Sequence, residues 1–413
     1  MDSAGVDSRA AWKTAWLVLG ILSISYASPL LIVVGMKPMQ EALGTDRSVL
    51  ALAGALVWIG TGSGGILMGW LADRIGLRRT VTIGAFMIAG GLALSSVGSI
   101  WALYVGHALL GFLGNGGVYP PLLVYVSRWF ERRRGAAIAL ISSGQYVAGV
   151  LWPALFEQGM TLFGWQALML AYGVFALAVI LPAVMFLKDA PKPVVAAAHH
   201  ATAHRGGRPR VAGFHPNVAQ ALICVAGFCC CIPMSVPQAH IVALCGDIGI
   251  KPTHGAAMLS LMLACAFLAR QAWGALADRI GGLRTVLAGS ACQAAAIACF
   301  LLTQDEAGLF AVSAAFGLGF AGIIPAYSVA IRDLFPSSQA SWRMPLTLFT
   351  AMSGMAFGSW FAGALYDHYG YYEPAFGLSV LFNLLNLAIV GFVVWRTGGT
   401  GRTLVWPKPQ PVA

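Results

Sequence analysis

Apolar stretches of about 20 residues recur along the chain, each long enough as a helix to cross about 30 Å of hydrocarbon. They fall near 12–36, 48–71, 79–98, 101–126, 135–158 and 164–187, then near 217–243, 254–277, 283–303, 307–331, 343–366 and 372–396. The pattern predicts an all-α membrane protein whose twelve transmembrane helices form two six-helix bundles, with both termini on one side. Between the two sets of six, residues 188–216 are rich in Pro, Ala, His, Arg and Gly and too polar to cross a membrane. That segment reads as a flexible linker joining an N-terminal bundle, 1–187, to a C-terminal bundle, 217–413.

Composition makes lipid the solvent. Hydrophobic residues make up 58% of the chain and charged residues only 10%, against roughly 25% charged in soluble domains. The formal charge of +10 raises nucleic acid as a partner. Apart from Arg270, however, the basic residues sit at the ends of apolar runs or in loops and tails, with no basic face carrying interleaved aromatics, so no nucleic-acid partner is expected. The cations crowd one set of alternate loops and leave only Lys37, Arg47 and Lys251 on the other side. The positive-inside rule makes the crowded side cytoplasmic, termini included.

All eight cysteines lie in the second half, without metal-ligand spacing to His or a secreted disulfide framework, and are read as packing residues. His199, His200 and His204 offer a metal-binding reading of the linker, but a solvated linker is preferred. No metal or cofactor is expected. Met1 to Ala11 is short and polar, so no cleavable signal is expected before the first apolar run.

An internal repeat is the most specific feature. Gly69-Trp-Leu-Ala-Asp73-Arg74-Ile-Gly76-Leu-Arg78-Arg79 follows the second stretch, and Gly274-Ala-Leu-Ala-Asp278-Arg279-Ile-Gly281-Gly-Leu-Arg284 follows the eighth. A weaker echo, Gly363-Ala-Leu-Tyr-Asp367-His-Tyr-Gly370, ends the eleventh. The spacing suits a gate: Gly lets helices approach closely, and Asp can meet a helix N-terminus or an Arg across the interface between halves. Gly69, Asp73, Arg74, Arg78, Gly274, Asp278 and Arg279 are therefore candidate gating residues. Positive-inside anchoring alone explains the arginines but not the Gly and Asp spacing.

This repeat resembles the loop signature of the major facilitator superfamily over nearly the whole chain. Tyr119-Pro-Pro-Leu-Leu-Val-Tyr-Val-Ser-Arg128-Trp129-Phe130-Glu-Arg-Arg-Arg134-Gly135, followed by Ser142-Ser-Gly144, resembles monocarboxylate transporters and the related oxalate/formate antiporters. Ala266-Phe-Leu-Ala269-Arg270-Gln-Ala-Trp-Gly274 is similar to the same family, in which an Arg here faces the substrate carboxylate. The resemblance implies the major facilitator fold and alternating access, in a bacterial inner membrane, by a chain that works as a monomer. It implies movement of a small organic monocarboxylate by proton symport or facilitated diffusion, or exchange of organic anions of the oxalate/formate type. The chain departs from the pattern where Leu30 follows Pro29 instead of Lys, where Ala266 replaces an Asp, and where Ala351 or Met352 replaces the antiporters' Lys. One cation is left where a dicarboxylate site would want two, which argues for a monoanion. The missing Asp and Lys leave coupling to protons open.

Arg270 is placed two helical turns before Asp278, about 12 Å inside the repeat motif at 1.5 Å per residue. Burying it costs at least a few kcal/mol, so it should face a watery cavity, where its planar fork suits a carboxylate. The alternatives are a snorkelling Arg or a pair with another helix, and no acidic partner is visible at that depth. Asn115 and Tyr119 share one helix face, and the resemblance to the antiporters places a cavity aromatic at Tyr119. Tyr26, Gln145 and Tyr146 are candidates to complete a polar lining. His107, His240 and Glu157, toward the outer helix ends, are candidate proton carriers, with ordinary interface bonding as the alternative for the histidines. No acid–base or metal constellation lies at depth, so no enzymatic activity is expected. A membrane sensor on a transporter fold is the rival from another class; it would be expected to carry a soluble domain or long tail.

Overall fold

The computed structural model describes residues 6–188 and 211–397. Twelve of its helices are long and apolar enough to cross a membrane. The first six are Arg9–Ala27, Arg47–Ile75, Leu77–Ser95, Ile100–Ser127, Gly135–Phe163 and Trp165–Met185. The other six are Pro216–Asp247, Pro252–Ile280, Gly282–Leu302, Glu306–Leu334, Trp342–Tyr369 and Glu373–Arg396. No strand occurs among the described residues; an isolated antiparallel bridge, Val211 with Phe214, precedes the seventh span. His199, His200, His204 and residues 189–210 lie outside the described residues.

The spans differ from unbroken cylinders where the sequence removes a donor or inserts a turn. The first apolar stretch does not run whole to residue 36. Its helix stops at Ala27, and Leu30–Val34 and Met36–Leu43 follow as separate pieces. Pro29 has no N–H to offer the carbonyl of Ser25, and the Ser28 hydroxyl donates there instead at 2.6 Å. The fourth span contains a π-helical turn, Leu110–Asn115, a local defect frequent at functional sites. The fifth breaks at Ser143 into Arg134–Ser142 and Gly144–Phe163.

The last glycine of each motif copy has a defined role. Gly76 (φ 91°, ψ 153°) caps the second span, and Gly281 (φ 85°, ψ 161°) caps the eighth, a conformation open in practice only to Gly. Each lets the chain reverse directly into the next span, so the repeat in sequence is a repeat in backbone geometry.

Buried apolar side chains form two clusters. One is drawn from the first half of the chain, apart from Ala243, and the other from the second half, apart from Tyr146. The seventh span is central, with 72% of its most apolar window buried, whereas the twelfth is peripheral at 28%. Trp101, Met185 and Leu302 are each more than three-quarters exposed on helix surfaces. Apolar surface of this kind needs lipid to cover it. The halves approach closely where side chains are small: a Cβ on Gly363 would lie 2.9 Å from Ser48 Cα, and one on Gly149 would lie 1.9 Å from Leu263 Cδ1.

Candidate functional site

A cavity of about 80 Å³ lies between the halves. Since about 10–15 Å³ of such volume admits one water, it holds several waters or a small organic molecule. The first half contributes Tyr26 and Leu30, Trp58 and Thr61, Asn115, and Gln145 and Tyr146; the second contributes Ser235 and Gln238, Leu259 and Leu263, and Ser359. Four of the residues singled out from sequence, Tyr26, Asn115, Gln145 and Tyr146, thus share one wall. Tyr119 stands behind it, its ring edge-on to Tyr26 at 5.5 Å and its hydroxyl 3.4 Å from Ser142 Oγ.

Most polar groups of the wall are satisfied locally, such as Thr61 Oγ1 on Val57 O and Gln238 Nε2 on Met234 O. Asn115 is different. It closes the π turn and accepts a 2.6 Å bond from Ser25 Oγ at its Oδ1, but its Nδ2 is buried with no partner among the described residues.

Arg270 does not line the cavity directly, contrary to the simplest sequence expectation. Tyr146 lies between: its ring lines the cavity, and the guanidinium sits 5.0 Å from the ring centroid. The Arg270 side chain crosses between halves, donating from Nη1 to the Ser142 carbonyl at 3.0 Å, and the residue is 8% exposed. That carbonyl is free because the fifth span breaks one residue later. Its Nε has no partner, and no described carboxylate lies within 4 Å of it. A buried cation bonded only to a neutral carbonyl and a ring keeps most of its donors and all of its charge for something else.

The gating residues behave differently on the two faces. On the basic face, which carries Arg74, Arg78, Arg79 and Arg128, Asp73 is mostly exposed and sits 3.8 Å from Arg128 of its own half. Arg74 stacks on Trp70 at 3.9 Å, and Arg78 Nε donates to Leu187 O at 2.9 Å. Asp278 and Arg279 are exposed. The expectation that Gly69 and Gly274 serve close helix approach is corrected: a Cβ at either would meet open space. The approach occurs earlier in the second span, where Gly60 and Gly64 face the backbone of Phe112.

On the far face the third, weaker motif echo does what the stronger copies do not. Asp367 accepts the backbone N–H of Arg47 and of Ser48, both at 2.8 Å, and so caps the N-terminus of the second span from across the interface. Arg47, 2% exposed, pairs with Asp247 of the seventh span through both Nη atoms, bonds the Tyr372 hydroxyl at 2.9 Å, and lies 3.8 Å over the Tyr366 ring. Lys37 Nζ reaches Gly246 O at 2.8 Å. Sequence reasoning left Arg47 and Asp247 just outside their spans, so their burial and pairing were missed; a cation and an anion at the ends of facing stretches were the available signal.

Of the candidate proton carriers, His107 is buried between the third and fourth spans, its Nδ1 near Ser95 Oγ and Leu103 O, both at 3.0 Å, away from the cavity lining. Glu157 is half-buried and also outside that lining. His240 connects regions: Nε2 lies 2.8 Å from Ser359 O, and Nδ1 lies 3.0 Å from the Tyr372 hydroxyl. The four buried cysteines, Cys229, Cys230, Cys231 and Cys245, are free thiols, and no group of three metal-ligating side chains occurs among the described residues.

Twelve spans, paired motif copies and a cavity shared between halves define a membrane carrier. The Major Facilitator Superfamily model matches residues 15–244 and 223–405, and the chain belongs to that family of transporters. It is 25% identical over 342 residues to the MFS-type transporter pynF of Aspergillus niger, covering 81% of this chain and 76% of that protein. It is 24% identical over 327 residues to monocarboxylate transporter 13 of Bos taurus, covering 78% and 74%. The fold matches an inward-facing, occupied crystal structure of a bacterial homolog of the human lysosomal transporter Spinster, with a TM-score of 0.68, 13% identity, and coverage of 97% of this chain and 99% of that one.

Proposed function

We propose that the protein carries a small organic monocarboxylate across a membrane by alternating access, with Arg270 as the counter-ion of the carboxylate. The observation that carries this reading is the buried guanidinium with no acidic partner, one ring away from a cavity between the halves. Arg270 Nε and Asn115 Nδ2 are both donors without an acceptor, and a carboxylate brings only acceptors. Tyr146 swings aside to join cavity and cation, while Tyr26, Tyr119 and Gln145 complete the lining. Similarity to a monocarboxylate transporter supports the class of solute. The Arg-rich loops make the basic face cytoplasmic, in a bacterial inner membrane, with residues 188–216 joining the halves there. The motif residues Asp73, Arg74, Arg78, Asp278 and Arg279 work the gate on that face.

Uptake of radiolabelled monocarboxylates into proteoliposomes, with and without a pH gradient, tests the proposal. A charged hydrogen bond contributes about 1.5–3 kcal/mol, so Arg270→Ala lowers uptake by about 10–100-fold. Arg270→Lys restores only part, because an ammonium cannot reproduce the planar fork. Undiminished uptake in both variants removes Arg270 from the site.

Exchange of anions is a second reading, favoured by the same lone cation. An empty carrier would have to change state with that charge unpaired, which favours a return step made with a second anion bound. Efflux that needs external anion, measured as counterflow, separates exchange from net transport.

A further inference from the structure

We propose that His240 is a proton-binding site that controls the far-face closure, so that protonation of its ring releases the halves from each other on that side. The inference rests on the alternating-access part of the functional reading and not on the identity of the solute.

The argument starts from the hydrogen-bond chain. Ser359, one of the residues lining the central cavity, presents its backbone carbonyl to His240 Nε2 at 2.8 Å. A carbonyl can only accept, so Nε2 carries the ring proton and Nδ1 carries the lone pair. Nδ1 therefore accepts from the Tyr372 hydroxyl at 3.0 Å, and the same hydroxyl oxygen accepts from Arg47 Nη1 at 2.9 Å. Every donor in this run has one acceptor, from the cavity wall to the Arg47–Asp247 pair that ties the first half to the second. The neutral ring fits it without remainder.

A second ring proton does not fit. Nδ1–H would point at a hydroxyl whose own proton must then turn away, with Arg47 already donating to that oxygen. His240 and Arg47 would also be two cations joined through one oxygen. The ring is fully buried, so no water replaces the lost acceptor. The charged and titratable groups facing this position are Arg47 and Lys37 from the first half, and Asp247, Asp367, Tyr366 and Tyr372 from the second. His254 and Glu306, on neighbouring helices, face each other. Asp247 and Asp367 are already engaged, by Arg47's guanidinium and by the amides of Arg47 and Ser48. No free carboxylate among the described residues stands ready to neutralise an imidazolium.

Linkage then sets the direction. A closed state that excludes the proton and an open state that admits it means that acid on the far side favours opening, by at most about tenfold per pH unit for one proton. The balance is simple: Nδ1 takes one proton from water on the far side, the Tyr372 O–H bond rotates without breaking, and closure returns that proton.

The backbone N–H groups of Arg47 and Ser48 report the closure, because both are bonded to Asp367 only while the halves are joined. Hydrogen exchange of these amides in the purified full-length protein, corrected for intrinsic rates, is to be followed from about pH 7.5 to pH 6, across the histidine range and above the carboxylates. Exchange should rise several-fold toward acid in the parent and stay flat in His240→Gln, whose amide can serve both partners without titrating. A flat parent, or a His240→Gln response equal to the parent's, overturns the proposal. If that variant does not fold, Tyr372→Phe decides, since it removes the hydroxyl between ring and guanidinium: a lost response supports the proposal and a retained one overturns it. No solute enters this measurement, so failure of the carboxylate reading would show separately, as absent uptake.

Discussion

Asp73 and Asp278 on the basic face, and Asp367 on the far face, stand in similar sequence contexts and are all exposed, but they meet different partners. The first is mostly exposed and 3.8 Å from an arginine of its own half, and the second is exposed as well. Asp367 caps a helix of the other half and stands beside a buried Arg47–Asp247 pair. Both described ion pairs that cross between halves, Lys37–Asp247 and Arg47–Asp247, lie on the far face. The sequence repeat therefore encodes a turn and a carboxylate in each place, but the partners that the carboxylate meets differ. Among the described residues the ion pairs between halves lie on the far face, while Arg270 bonds the Ser142 carbonyl across the interface without a carboxylate.

The comparison breaks most readily at its strongest element. Asp247→Ala leaves Arg47 buried without its carboxylate, at a cost of about 3–5 kcal/mol. It should lower the melting temperature and speed exchange at Arg47 and Ser48; a variant that melts with the parent would mean that the pair holds nothing together. Gly281→Ala places a Cβ on a backbone with positive φ, costing about 1–3 kcal/mol. Gly274→Ala, seven residues earlier with open space around it, should stay within about 0.5 kcal/mol. Equal losses from the two glycine variants would refute the assignment of the turn to the last motif glycine.

Asp367→Asn keeps the size of the cap but leaves one oxygen to serve two amides that now bond Oδ1 and Oδ2 separately, so a loss of about 1 kcal/mol is expected, read as an approximately fivefold faster exchange of the amide left without an acceptor. On the other face, Arg128→Ala removes an exposed pair worth about 0–1 kcal/mol, and thermal melting should barely move. A large shift there would show that this exposed pair holds its own half together more strongly than its exposure suggests. The smallest effect concerns Asp7, which accepts from the backbone amides of Arg132, Arg133 and Glu131; the Arg132 amide is the chief reason its carboxyl titrates below the ordinary aspartate range. Because that group is depressed in the folded state, its contribution is present above about pH 4 and fades as pH falls through its own lower value. Exchange at amides 131–133 should rise only in that acid range, and should be independent of pH in Asp7→Asn.

Much of the architecture was readable from hydropathy, because a span must satisfy its backbone within itself and offer apolar side chains to lipid. The clustering of Tyr26, Asn115, Gln145 and Tyr146 was likewise anticipated, since polar residues at similar depth in different spans have few places to go but the interior. The helix break at Ser28 and Pro29 and the pause at Ser143 were not seen, as neither interrupts the run of apolar residues. Arg47 was assigned to a loop because its span begins with it, and hydropathy windows blur ends by several residues.

The amino-acid order on its own determined the number of spans and the crowding of cations on one face, because these depend on local backbone limits and on transfer between water and lipid. Only the packed structure decided which carboxylate caps which helix, that Tyr146 stands between the cavity and Arg270, and that His240 bridges a cavity wall to an ion pair between halves. Those facts rest on distances between residues far apart in the chain, and side-chain chemistry at a few ångströms has no signature in hydropathy or spacing.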